Sequence, residues 1–200
     1  MLLILGVHLL FLVMVSLASF VGSFSCLAFS GSRRSGSSAA ASASAFLPAV
    51  LGFSGPVAVG CASGVDSLVR SAFPSCSVFR VQQFAAGGRV SRASFARRSS
   101  ALVSWCAARS GLLVVFPLGA CPSGVRVSSS FRGCGSGSWG SFALALGLGC
   151  SVLVVAPASV SSAWFGSLAS RFRCVGAAPC GGLLWVGGEP PQAGGQLSLF

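Results

Sequence analysis

Short runs of apolar residues alternate along this chain with longer segments that are rich in Ala, Ser and Leu. Each run is bounded by Gly, Ser or Pro, which favour the ends of strands and the start of turns. This order is typical of a parallel sheet whose strands are joined by crossover helices. Because such crossovers are right-handed, the pattern predicts an α/β fold, a Rossmann-like open parallel sheet of about five strands with helices on both faces.

The pattern also predicts where the elements lie. Strands are expected at residues 26–29, 57–60, 77–81, 112–116 and 151–156. Helices are expected at residues 37–51, 64–73, 91–109 and 138–148. We therefore expect one Rossmann-like nucleotide- or phosphate-binding domain over residues 26–157, an aromatic and Gly-rich flap over 158–186, and a flexible tail over 187–200, in which a Pro pair stands among glycines.

The N-terminal residues 1–25 are strongly apolar. From Leu2 to Phe29 there is no Arg, Lys, Asp or Glu, and roughly 20 apolar residues can cross a bilayer as a helix. Residues 2–24 are thus either a membrane anchor or a loosely attached extension of the domain. Arg33 and Arg34 follow the run, so an anchor would leave the domain on the cytoplasmic side. We expect a cytoplasmic protein in both cases.

The chain is strongly basic. Its 13 Lys and Arg residues are all Arg, and its only carboxylate side chains are Asp66 and Glu189, which gives a formal net charge of +11. Such a surface attracts polyanions in a salt-dependent way, so nucleic acid or a nucleotide is the expected partner. An adenine-poor gene is the competing explanation, because Lys, Asn, Thr and Tyr are all absent and their codons all contain adenine.

The nine cysteines do not form a metal-binding pattern. No C-x-x-C pair is present, and the single histidine, His8, lies in the apolar N-terminal run. Several thiols lie within or beside apolar runs, where a reduced cysteine packs as a small hydrophobic residue. The sequence therefore has no zinc signature, and we expect no metal and no cofactor.

Three loops rich in Gly and Ser follow predicted strands or open predicted helices, at residues 30–33, 60–66 and 135–139. In an open α/β sheet, ligands bind outside the carboxyl ends of the strands. Small residues let backbone N–H groups approach a phosphate, and a helix N-terminus adds partial positive charge. The predicted ligand-binding residues are Ser30, Gly31, Ser32, Arg33, Gly60, Gly64, Asp66, Arg98, Gly135, Gly137 and Ser138.

An ordered set of motifs over about residues 26–156 resembles the SLOG superfamily of Rossmann-like proteins, which includes DprA/Smf-like DNA-processing proteins and LOG-type phosphoribohydrolases. The motifs are FSGSR at 29–33, VGCASGVD at 59–66, RSSAL at 98–102, LVVFP at 113–117 and GSGS at 135–138. The resemblance implies binding of nucleotides, nucleotide-derived ligands or single-stranded DNA at this edge of the sheet. It also favours Arg98 as a ligand-binding residue over Arg92 and Arg97, which lie on the same predicted basic helix.

The chain departs from the LOG-type pattern at a residue with a role in catalysis. Where those enzymes carry a glutamate, the matching position here is Ser141. Acid–base chemistry needs a group that can move a proton, and the predicted domain offers only Asp66. No catalytic residue is therefore assigned. Asp66 is expected to stabilise a helix N-terminus or to hold a ligand hydroxyl.

The last five residues resemble the peptide with which many bacterial replication and repair proteins bind the sliding clamp of the replicative DNA polymerase. Three apolar side chains could enter a groove on the partner, and the glutamine could hydrogen-bond at its rim. The predicted partner-binding residues are Gln196, Leu197, Ser198, Leu199 and Phe200. The alternatives are a chance match and a terminal segment that folds back onto the sheet.

These features together predict a protein of DNA metabolism that binds a nucleotide or single-stranded DNA and is recruited to the sliding clamp. One alternative is an enzyme of the SLOG group that processes or senses a nucleotide derivative, with Asp66 as its acidic residue. Another is a membrane-tethered protein, or a fortuitous reading frame.

Overall fold

The computed structural model describes residues 17–187 and confirms the α/β fold. Its sheet is built from β1 (Leu27–Gly31), β2 (Val57–Gly60), β3 (Ser77–Phe79), β4 (Leu112–Phe116), β5 (Ser151–Ala156), β6 (Phe172–Ala177) and β7 (Leu183–Gly187). These seven strands lie in the order β3-β2-β1-β4-β5-β7-β6. The first five match the predicted strands to within a few residues, and all their pairings are parallel.

Four α-helices connect the parallel strands, each near its predicted place. They are α1 (Ser38–Phe46), α2 (Val65–Ala72), α3 (Arg92–Ala107) and α4 (Gly137–Gly147). Ser37, Ser91 and Ser136 cap α1, α3 and α4, since each side chain accepts a backbone N–H from the first turn of its helix. The 3₁₀ helices occupy Leu47–Val50, Val81–Phe84, Ala86–Gly88 and Ser162–Arg171, the last of which is kinked at Gly166.

The order of the sheet reverses between β1 and β4. From β1 the chain moves outward to β2 and β3, then returns to β4 on the other side of β1 and continues to β5. Leu27 of β1 faces Val57 on one side and Leu112 on the other. The loops that leave β1 and β4 therefore diverge in opposite directions, and the crevice between them is where open α/β sheets bind ligands.

Two strands go beyond the expected five. β6 and β7 arise from the segment predicted as an aromatic flap, and β7 pairs antiparallel with both β5 and β6. Leu184 and Val186 pack on one face of the sheet and Trp185 on the other. The surrounding Gly, Ser and Pro residues hide this short alternating pattern in the sequence.

The core has two layers, one on each face of the sheet. α1 and α2 cover one face, where Phe46 and Val69 meet Phe29 of β1 and Val114 of β4. α3 and α4 cover the other face, together with the 3₁₀ helix Ser162–Arg171. Successive strand residues point to opposite faces, so strands buried on both sides read as continuous apolar runs.

The chain before β1 also contributes to the core. Residues 17–22 are helical, and Leu17, Phe20, Val21 and Phe24 are buried on the face that α1 and α2 cover. None of the helices formed by residues 17–187 combines the length and hydrophobicity that a bilayer-spanning segment needs. Residues 1–16, with His8 and most of the predicted anchor, lie outside the described residues, as do residues 188–200 with the terminal peptide.

Candidate functional site

The loops that follow β1 and β2 are joined directly to each other. The Val65 N–H donates to the Ser32 carbonyl over 3.0 Å, and the Ser63 hydroxyl donates to the Arg33 carbonyl over 2.6 Å. Gly64 has a φ of +66°, and a side chain there would press on the Ser32 carbonyl oxygen. Only glycine combines this left-handed backbone with so close an approach, so Gly64 fixes the contact between the two loops.

A buried ion pair supports the second loop from below. Arg98 Nη1 of α3 lies 3.2 Å from Asp66 Oδ2 at the start of α2, and the same oxygen accepts the Ala62 N–H over 3.1 Å. Arg70 donates to the carbonyls of Gly60 and Ala62 over 2.8 and 3.0 Å. The guanidinium of Arg98 lies where a side chain at residue 60 would have to be, so glycine is required at that position too.

Burial governs the chemistry of this pair. Desolvation raises the pKa of the Asp66 carboxyl, although Arg98, the Ala62 N–H and Arg70 all act in the opposite direction. The two side chains are only 7% and 6% exposed. Among residues 17–187, Arg98 Nε has no hydrogen-bond partner. Asp66 and Arg98 therefore hold the loop in place from its interior side, and their charges are directed at each other.

A cavity of about 260 Å³ opens beside these loops. Its walls come from three places in the sequence: Arg33 after β1, the first turns of α3, and the segment 131–137 that leads into α4. Arg92 and Phe95 line the cavity from α3, and Phe131 lines it from the β4–α4 connection. The cavity is thus formed where the order of the sheet reverses.

Two arginines give the cavity its charge. The Arg33 guanidinium carbon lies 4.1 Å from the centre of the Phe95 ring, a cation–π contact that orients the side chain. Within the described residues neither Arg33 nor Arg92 has a carboxylate partner, because the one carboxylate there, Asp66, is paired with Arg98. Both cations remain available to an anionic ligand.

The segment before α4 brings small residues to the cavity. Gly135 has a φ of +84°, and the Ser136 side chain caps the helix by accepting the Trp139 N–H over 3.4 Å. Ser138 is buried, and its hydroxyl is 3.2 Å from that of Ser136. Trp139 Nε1 donates to the Gly119 carbonyl over 2.9 Å, which ties the helix start to the loop after β4.

The structure places the predicted ligand-binding residues in four groups. Arg33, Gly135 and Gly137 line the cavity, and Ser32 and Gly64 join the loops beside it. Ser30 and Gly31 belong to β1, where Gly31 packs against Val65. The remaining predicted residues, Gly60, Asp66, Arg98 and Ser138, are buried and are not part of the cavity lining.

Two aromatic wall residues were not predicted. Phe95 lies one turn after the start of α3, a position that the basic pattern of the helix could have indicated. Phe131 lies in a long connection whose path depends on packing against α4, and no local signal in the sequence marks it.

Within residues 17–187, no group of three or more His, Cys, Asp or Glu side chains is arranged to hold a metal ion. The polar side chains that line the cavity include the guanidinium groups of Arg33 and Arg92 and the hydroxyls of Ser99 and Ser136, a set that suits an oxyanion. No family model, curated protein or solved structure matches the chain, so membership of the SLOG superfamily stays a prediction from its motifs.

Proposed function

We propose that this protein binds the phosphate groups of a nucleotide or of single-stranded DNA in the cavity between the β1 loop and α4, and that it acts in DNA metabolism. The observation that carries the proposal is that Arg33 and Arg92 line the same cavity and that neither has a carboxylate partner among the described residues. Guanidinium groups bind phosphate oxygens in a bidentate manner, and the position at the reversal of the sheet suits a phosphorylated ligand.

The charge of the whole described region supports a polyanionic ligand. Residues 17–187 contain thirteen arginines, and their single carboxylate is buried. The surface is therefore almost free of negative charge, which favours fast, salt-sensitive association with nucleic acid.

Binding of a fluorescein-labelled oligothymidylate, followed by anisotropy, tests the proposal. Arg33→Ala should weaken binding about tenfold or more, since one charge-assisted contact to phosphate is lost. Arg34→Ala is the matched control, because Arg34 is the exposed neighbour and does not line the cavity. Equal affinity of wild type and Arg33→Ala would refute the proposed site, and so would equal losses in the two variants.

We further propose that the C-terminal peptide recruits the protein to the replication sliding clamp. The support is the sequence Gln196-Leu-Ser-Leu-Phe200 after a Gly- and Pro-rich linker. A linker of this composition lets a terminal peptide extend to a partner at a distance from the domain. The leucines and the phenylalanine of the peptide suit an apolar groove on that partner.

Pull-down by purified clamp tests this partner. Changing Leu199 and Phe200 together to Ala should abolish capture, because these side chains would provide most of the apolar contact. Gln192→Ala is the control, since this polar residue precedes the peptide in the sequence and should leave capture unchanged. Capture of the double variant at the wild-type level would remove the clamp from the proposal.

A further inference from the structure

The segment 128–133, which we call the strap, lies against α4 at two glycines. A side chain at Gly147 would collide with the Ser128 carbonyl, and one at Gly140 would approach Phe131 Cζ at 2.8 Å and Gly133 Cα at 3.0 Å. The Ser128 N–H also donates to the Ala143 carbonyl of α4 over 3.3 Å. Gly140 and Gly147 are seven residues apart, about two helical turns, so they share one side of α4.

This close packing sets the position of Phe131. The tip of its ring rests on Gly140, its body packs at the margin of the core, and the residue is half-buried in the cavity wall. Within residues 17–187 no other aromatic ring stacks on it. The other phenylalanine of the wall, Phe95, differs in this respect because the Arg33 guanidinium covers its ring.

The arrangement puts an aromatic surface in the same cavity as two arginines that have no carboxylate partner among the described residues. The volume of about 260 Å³ lies below the range of roughly 300–1,000 Å³ that drug-sized ligands occupy. A phosphate and one planar ring fit these dimensions better than a longer stretch of ligand.

We propose that Phe131, held in place by Gly140, is the specificity-determining residue of the site and stacks on a nucleobase, so that the ligand is a base-bearing phosphate. This inference rests on the proposed phosphate-binding function. Arg33 and Arg92 hold the charge, and Phe131 distinguishes a nucleotide unit from a phosphorylated sugar without a base. Stacking of this kind does not depend on the nucleotide sequence, because every base has an aromatic face.

The test compares two oligonucleotides of equal length and charge, an oligothymidylate and its abasic counterpart, which has the same backbone without bases. Wild-type protein should bind the oligothymidylate about tenfold more tightly, as expected for one base stacked on an aromatic side chain. Phe131→Leu should lose that preference and keep the weaker affinity for the abasic strand. Gly140→Ala should lose part of the preference, since the added methyl group displaces the strap.

Phe53→Leu is the matched control, because Phe53 is a half-buried phenylalanine in a different cavity lined by residues 18–24 and 49–55. Thermal unfolding of each variant checks that the fold persists. If wild type binds the two strands equally while Arg33→Ala weakens both, the phosphate site stands and the role of Phe131 is refuted. If neither strand binds, or Arg33→Ala binds like wild type, the proposed function itself fails.

Discussion

Arg98 Nη1 and Asp66 Oδ2 meet at 3.2 Å in the interior of the protein, behind the loop that follows β2. Removing one member of a buried pair leaves the other charge without compensation. Arg98→Met should therefore lower the free energy of unfolding by about 3 kcal/mol, measured by urea denaturation. Arg97→Met, an exposed neighbour on α3, should change it by less than about 0.5 kcal/mol. Similar losses in both variants would contradict the structural role of the pair.

The same carboxylate predicts how stability depends on pH. Burial raises the pKa of Asp66 in the folded protein, whereas the unfolded chain has the ordinary value of about 4. The folded state therefore binds the proton more tightly, and its free energy of unfolding should fall as pH rises from the unfolded pKa through the raised folded pKa. The measurement is urea denaturation across this range for wild type and for Asp66→Asn.

The Asp66→Asn variant lacks the titrating group, so the difference between the two proteins isolates its contribution. A wild-type stability that increases with pH across this window, relative to the variant, would show that the ion pair outweighs desolvation.

Gly64 offers a test of the contact between the two loops. Gly64→Ala should destabilise the protein by more than the roughly 1–3 kcal/mol that so sparsely populated a backbone conformation (φ +66°, ψ −129°) costs a non-glycine residue, because the methyl group also meets the Ser32 carbonyl. Gly166→Ala is the control, because Gly166 has nearly the same backbone angles (φ +56°, ψ −130°) and its added methyl group would meet no atom closer than 3.5 Å. Equal losses of unfolding free energy would show that the close approach is unimportant.

The salt dependence of binding separates charge from stacking. Arg92→Ala should reduce the slope of log affinity against log salt concentration by about one, since one phosphate contact is removed. Phe131→Leu should leave the slope unchanged, because a stacked base releases no counterion. Anisotropy titrations at several salt concentrations give both slopes. A slope that is unaltered in Arg92→Ala would exclude that residue from phosphate contact.

Phe165 tests whether the segment after β5 is part of the folded core. Its ring is fully buried and lies 4.6 Å from that of Phe172 and 4.9 Å from that of Trp185. Phe165→Ala should lower the free energy of unfolding by about 3–5 kcal/mol, as for other buried phenylalanines. Trp164→Ala changes a more exposed ring in the same 3₁₀ helix and should cost less. A small loss in Phe165→Ala would mean that this segment folds independently of the sheet.

The parallel half of the fold could be predicted from the sequence because its signals are local. Strands buried on both faces, such as Leu112–Phe116, read as unbroken apolar runs, and capping serines mark where the helices begin. β6 and β7 were missed because their pairing is antiparallel and bulged near Cys174, and their short runs are interrupted by glycine.

The sequence predicts those parts of the candidate site that lie next to the small residues at strand and helix ends. Arg33, Gly135 and Gly137 could be placed at one edge of the sheet from their positions after or before predicted elements. Phe131 could not, since its location depends on a contact with Gly140 that only packing establishes. The RSSAL motif predicted that Arg98 contacts the ligand. In the structure, its guanidinium donates a hydrogen bond to the Asp66 carboxylate.

The position of β7 between β5 and β6 has a consequence for biosynthesis. β6 leaves the ribosome before β7, yet all its partners in the sheet belong to β7. A nascent chain therefore carries β6 unattached and the outer side of β5 open until β7 is translated and inserts between them. During that interval the exposed hydrogen-bonding edge of β5 is a template for pairing with other chains, so chaperone demand should be highest late in translation.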